Sequence, residues 1–177
     1  MRLALALVLC TVAFAAFAAG SDDNEPPTQT NTTKTCTDGK VWDEKTQSCQ
    51  DAKSGLLDDD TLFKAAREFA YAGQPQDALN ALAAMKEGES DRVLTYLGFA
   101  NRKAGNLEIG LGYYDKALER NPDNLLARSY YGQALVEMGE MRLAQAQLDE
   151  IIVRGGAGGW PATALAEAIR TGQTTNY

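Results

Sequence analysis

The sequence predicts an all-α fold: an antiparallel helix-turn-helix solenoid of about three units with a C-terminal capping helix, preceded by a small disulfide-stapled hairpin. Three observations predict it. Asp91–Gly156 repeats itself, with Gly98 falling on Gly132 and Gly105 on Gly139, both 34 residues apart. A fixed period of about 20–50 residues is the signature of stacked supersecondary units. Within each period the apolar residues recur at spacings of three and four, which puts them on one helix face. Finally, Cys36 and Cys49 are the two cysteines outside an N-terminal apolar run.

In chain order, residues 1–19 read as a signal peptide. Arg2 gives the positive start, Leu3–Ala19 the apolar run, and Ala16-Phe17-Ala18 or Ala18-Ala19-Gly20 the small-x-small cleavage pattern. The run is short for a membrane span, which takes about 20 apolar residues. The chain is therefore expected to be exported, to a periplasmic or secreted location, with membrane attachment only if the segment stays uncleaved. Cys10 lies inside the apolar run after Leu9 and does not read as a lipid acceptor. Residues 20–35, with Asp22, Asp23, Glu25, Pro26, Pro27 and threonines at Thr28, Thr30, Thr32, Thr33 and Thr35, hold almost nothing apolar. Such a segment cannot offset its ordering entropy, so a disordered linker is expected.

Residues 36–50 form the stapled hairpin. In an exported chain the direct reading of Cys36 and Cys49 is a disulfide, and closing that loop contributes about 3 kcal/mol. Asp38-Gly39 is a turn, Val41-Trp42 a short strand and Asp43-Glu44-Lys45 a second turn. The run Cys36-Thr37-Asp38-Gly39-Lys40-Val41-Trp42-Asp43, with Cys49, is similar to the hairpin of some cysteine-rich carbohydrate-binding modules. That similarity implies sugar contact by Trp42; the other reading is that Trp42 packs the hairpin onto itself or onto the first helices. Two cysteines 13 apart are not a Cys-x-x-Cys redox pair, and a zinc site lacks two ligands.

The helical array is expected over 56–170. Asp58, Asp59 and Asp60 precede Leu62 and Phe63, where they cap a helix and favour its dipole. Gln74-Pro75-Gln76-Asp77 restarts the chain into a second helix, with proline tolerated in the first turn. In the middle unit Leu94, Leu97 and Gly98 lead to a turn at Ala104-Gly105-Asn106, followed by Leu107, Gly110, Leu111, Tyr114, Ala117 and Leu118. Gly105 ends the first helix in the left-handed conformation and Asn106 is expected to cap the second. Gly98 and Gly110 lie mid-helix, where glycine is poorer than alanine by about 1 kcal/mol, so they imply a crossing too close for a side chain. Arg154–Gly159 reads as a flexible link, Trp160–Arg170 as the terminal helix that a solenoid needs to cover its last apolar face, and 171–177 as a flexible tail.

The set Leu97-Gly98, Gly105, Gly110, Tyr114, Ala117 and Pro122 resembles the tetratricopeptide repeat. The next unit matches at Tyr131-Gly132, Gly139, Ala144, Leu148 and Ile151, and an earlier one at Leu62, Ala65-Ala66, Phe69, Gly73, Ala78, Leu82 and Met85. The last unit has Gly156 where the closing proline is usual, and the middle one has polar Asn101 where an aromatic is usual. The resemblance covers about residues 59–156. It implies that the first helices of successive units line a concave face that takes a segment of another protein. On this sequence that face holds Phe63, Arg67 and Tyr71, then Arg92, Thr95, Phe99, Arg102 and Lys103, then Ser129, Gln133 and Val136.

Composition narrows the function. The chain has no histidine, which removes the commonest general base and metal ligand near neutral pH, and no nucleophile motif replaces it. A non-enzymatic scaffold without cofactor or metal is expected. The net charge of −7 argues against nucleic acid, whose nonspecific binding rests on Lys and Arg. Against that balance the expected face carries Arg67, Arg92, Arg102 and Lys103, opposed mainly by Asp60 and Glu137. An acidic or carboxyl-terminal peptide segment suits such a face, because guanidinium forks match carboxylates. The alternative is a cell-envelope polysaccharide-associated protein using the Cys36–Cys49 hairpin; self-association is also open.

Overall fold

The computed structural model describes residues 24–174. The signal peptide expected over 1–19 and the end of the tail, 175–177, lie outside the described residues. The described chain is mostly helical, with one small sheet and one disulfide. A single helical turn, α1 (Asn31–Lys34), leads to strands β1 (Val41–Asp43) and β2 (Ser48–Gln50) and a 3₁₀ turn at Ala52–Ser54. Seven helices follow: α2 (Asp59–Tyr71), α3 (Pro75–Ala83), α4 (Asp91–Lys103), α5 (Leu107–Arg120), α6 (Leu125–Glu137), α7 (Met141–Ile151) and α8 (Trp160–Thr171).

The hairpin forms where the cysteines require it. β1 and β2 pair antiparallel with Trp42 opposite Cys49, and the Cys36–Cys49 disulfide ties the loop before β1 to β2. Val41 is fully buried and joins the helical core, so the hairpin is docked on α2.

The helices begin and end where local chemistry demands. The Asp58 side chain accepts the Thr61 N–H at 2.9 Å and opens α2. Pro75 sits in the first turn of α3, and the Asn124 side chain accepts the Ala127 N–H at 2.8 Å to open α6. Gly73, Gly105 and Gly139 follow α2, α4 and α6 with φ of +74°, +87° and +78°, a conformation that costs glycine nothing. Asn106 holds the N-cap position of α5, but its side chain makes no capping bond; its amide turns towards the Asn101 oxygen, 3.5 Å away.

α2 packs on α3, α4 on α5 and α6 on α7. The first helix of each pair also contacts the next pair (α2 on α4, α4 on α6), and α8 lies on α6 and α7. The mid-helix glycines sit at the crossings. A Cβ on Gly98 would lie 2.5 Å from Tyr114 Cε1, one on Gly110 2.8 Å from the Gly98 carbonyl, and one on Gly132 2.5 Å from a Leu165 methyl. The terminal helix is thus seated against α6 as closely as α5 is against α4.

Three segments show local contacts that the sequence alone does not reveal. Within the linker expected to be disordered over 20–35, residues 31–34 form the helical turn α1, which contacts α2. Its polar residues find partners on a helix: Glu68 accepts the backbone N–H groups of Thr30 at 2.8 Å and of Thr33 at 2.9 Å. The link expected to be flexible over 154–159 begins inside a π-helical turn, Ile152–Gly156. Gly156 is buried there, its missing Cβ 2.7 Å from Ile151 Cγ2 and 2.8 Å from Leu125 Cδ1. The tail expected to be flexible from 171 is held as far as Thr174, whose hydroxyl donates to Glu137 at 2.5 Å.

Candidate functional site

The expected face is made by the first helices of the three pairs, α2, α4 and α6. Helical spacing sets Phe63, Arg67 and Tyr71 at i, i+4 and i+8 along α2, and Arg92, Thr95, Phe99, Arg102 and Lys103 along one side of α4. Phe63, Arg67, Tyr71, Thr95, Phe99, Arg102, Ser129, Gln133 and Val136 are all buried, whereas Arg92 and Lys103 are half-buried. The cationic face expected from the sequence is therefore largely a packed one.

Aromatic rings carry the packing. Tyr71 stacks on Phe99 with centroids 5.5 Å apart and planes 17° apart, and Phe63 meets Tyr96 edge-on at 5.5 Å. Tyr130 joins them, 4.6 Å from Phe99 and 6.0 Å from Tyr96, and its hydroxyl is hydrogen-bonded to that of Tyr71. Trp160 of α8 lies 6.4 Å from Tyr71 and 6.1 Å from Tyr130. The cations lie over the rings: Arg92 is 4.6 Å from the Phe63 centroid, Arg102 5.4 Å and Lys103 5.7 Å from that of Phe99. A cation over a ring face gains more as water is excluded.

The charged groups are paired as well. Arg67 donates from Nε to the Tyr96 hydroxyl at 3.1 Å and from Nη2 to the main-chain carbonyl of Glu25 at 2.6 Å. Arg92 pairs with Glu87 at 2.9 Å and Asp60 at 3.6 Å. Arg102 pairs with Glu137 at 3.0 Å, its side chain only 1% exposed. Burial, with Arg102 beside it, lowers the Lys103 pKa from its ordinary value. Burial likewise raises the phenols of Tyr96 and Tyr114. The arginines of this face thus already hold acid, hydroxyl or carbonyl partners, and burial keeps water from most of it.

Thr95 and Val136 make contacts of other kinds. Thr95 accepts the Asn124 amide at 3.1 Å and donates to the Asp91 carbonyl at 2.7 Å, in a polar joint between α4 and α6. Val136 packs with Leu135, Ala144 and Ala168 under α8, away from the rings. Ser129 and Gln133 meet each other, 3.4 Å apart. A cavity of about 300 Å³ opens at one end of the face, with Asn24, Phe63, Arg92, Tyr96 and Asn124 among its walls.

A scan against protein-family models finds no match, and searches of curated proteins and of solved structures find none either. Among the described residues no helix is long and apolar enough to cross a membrane.

Tyr96, Tyr130, Trp160 and Glu68 complete the site and were not singled out in the sequence. For two of them a signal existed: Tyr96 and Tyr130 are themselves 34 residues apart, so the repeat places both on corresponding helix positions. Trp160 and Glu68 had none, since each is defined by a partner distant in sequence. Trp42, the candidate sugar contact, is half-buried; its Nε1 is buried with no partner among the described residues. It borders a second cavity, of about 630 Å³, between hairpin, α2 and residues 25–32.

Proposed function

We propose that this chain is an exported, non-enzymatic scaffold, a short tetratricopeptide-like solenoid that takes an extended segment of another protein on the α2–α4–α6 face. One observation carries the reading: the Arg67 guanidinium holds the main-chain carbonyl of Glu25. A face that seats a main-chain carbonyl on a buried arginine has a donor that a peptide ligand requires. The buried aromatic rows beside it hold that arginine in place, and the half-buried Arg92 and Lys103 add positive charge at the accessible edge. Acidic segments fit that charge best, and their binding weakens with added salt because part of the attraction is exposed.

The test is capture from the native compartment with the whole protein and with Arg92→Gln and Lys103→Gln, each checked for retained helicity. Reduced recovery of one set of partners by both variants is expected. Recovery of the same partners in the same amounts would show that this face is not where the protein binds.

A second reading draws on Trp42 and its cavity: a pyranose stacked on the indole ring, in a protein that sits on envelope polysaccharide. Quenching or enhancement of Trp42 fluorescence by soluble glycans, lost in Trp42→Ala but kept in Trp160→Ala, is its expected mark.

A further inference from the structure

Residues 24–34 cross α2 as a strap fastened to that helix at two places, and to the hairpin where the buried Thr32 hydroxyl accepts the Trp42 backbone N–H at 3.2 Å. At the first, Arg67 Nη2 donates to the Glu25 carbonyl at 2.6 Å. At the second, the buried carboxylate of Glu68 accepts four hydrogen bonds. They come from the backbone N–H and hydroxyl of Thr30 and from the backbone N–H and hydroxyl of Thr33, the latter two at 2.9 and 2.5 Å. Between the fastenings the strap is scarcely packed. Pro26, Thr28 and Gln29 are exposed and Pro27 is only half-buried. Cavities flank it on both sides: the 630 Å³ space bordered by Trp42 and Lys64, and one of about 320 Å³ against Tyr71 and Ala72. A segment held by hydrogen bonds, with few apolar contacts and empty space on either flank, belongs to the low end of local stability.

We propose that this strap is an internal occupant of the α2 surface, displaced by a peptide of another chain that ends, as the strap does, in one helical turn. That peptide presents a backbone carbonyl to Arg67 and, a few residues later, two threonine or serine residues three apart to Glu68. The inference rests on the peptide-binding reading above and names the kind of segment that fits. Arg67 and Glu68 are 5% and 4% exposed, and an unpartnered buried charge is costly. A peptide that supplies the same acceptor and donors keeps both groups paired when the strap leaves, which selects for peptides of this pattern. A closed strap lowers the apparent affinity for such a peptide by the fraction of molecules that are open.

The experiment uses the full chain and a fluorescein-labelled peptide with the sequence of residues 24–34. Thr30→Val with Thr33→Val removes the two hydroxyl donors from a strap whose Thr30 is exposed and Thr33 half-buried, so the helices are retained. Hydrogen exchange at the Thr30 and Thr33 amides should quicken, and the peptide should bind about tenfold or more tightly than to the parent protein. Arg67→Gln in the same background should remove that gain. Unchanged exchange would show that the hydroxyl bonds to Glu68 do not fasten the strap, and quickened exchange with no gain in peptide affinity would show that the strap does not compete; either overturns the proposal. Both results leave the partner reading to be judged separately, by capture with the Arg92 and Lys103 variants. A strap exchanged between two copies would appear as a dimer in the parent protein on sedimentation, and would overturn occupation within one chain.

Discussion

Gly98 and Gly112 test the same backbone in opposite surroundings. The Cβ of an alanine at Gly98 would lie 2.5 Å from the Tyr114 ring, while one at Gly112 would meet nothing within 4 Å. Tyr114 is fully buried and cannot swing away, so Gly98→Ala is expected to cost about 1–3 kcal/mol through overpacking. Gly112→Ala, on the exposed side of α5, should instead gain about 0.5–1 kcal/mol from the lost backbone freedom of glycine. Urea denaturation of both variants decides the point; equal midpoints would mean that α4 and α5 do not meet there. This close crossing was legible in the sequence because Gly98 recurs as Gly132 at the repeat spacing, whereas Gly112 falls on the exposed side of its helix. The failed cap at Asn106 was not legible. A cap depends on where one side chain turns, and Asn101 lies in reach of that amide.

At the scale of elements, Asp58 and Asp59 show two uses of adjacent carboxylates. Asp58 caps its own helix, and Lys45 of the hairpin bonds it at 2.8 Å, which with the Thr61 N–H holds its pKa well below the usual range. Asp59 instead accepts the backbone N–H groups of Lys86 at 3.0 Å and Glu87 at 2.8 Å, pinning the loop between α3 and α4. Those two bonds lower the Asp59 pKa from its ordinary 3.8. A carboxyl with a depressed folded pKa contributes its stability above the unfolded value and loses it as pH falls through the folded one. The loop should therefore stay pinned above pH 3.8 and loosen below it, with the Lys86 and Glu87 amide shifts titrating at a midpoint under 3.8. In Asp59→Asn that titration should vanish; a persisting one would assign it to another acid. The disulfide acts on a neighbouring element. Replacing Cys36 and Cys49 by alanine should remove about 3 kcal/mol of loop-closure stabilisation, read as a lower thermal midpoint. Helix ends and the hairpin could be read from the sequence because glycine, proline, aspartate and cysteine act locally. The strap could not, since its polar residues gain order from Glu68 and Arg67, some 35–42 positions away.

Across the whole molecule the same distinction decides what could be foreseen of the site. The repeat spacing puts the expected residues on α2, α4 and α6, but the packing of Tyr71 and Tyr130 also involves Trp160, outside the repeat. In a stack whose units touch only their neighbours, damage at one end leaves the other end unchanged. Here the ring of Trp160 on α8 reaches Tyr71 on α2 as well as Tyr130 on α6, so the last helix is joined directly to the first of the pairs. Trp160→Ala should cost about 3 kcal/mol, the low end for a large aromatic because Trp160 is only half-buried. Its effect on native-state hydrogen exchange should be bipolar, with protection falling in α8 and also in α2 around Tyr71. Leu165→Ala is the contrast. Leu165 packs with Leu148, Ile151 and Ala162 and against Gly132, none of which lies in α2, so its loss should loosen α6, α7 and α8 and leave α2 protected. If Trp160→Ala also leaves α2 unchanged, the aromatic row is a set of separate contacts, and the ends of the molecule are coupled only through the helices between them.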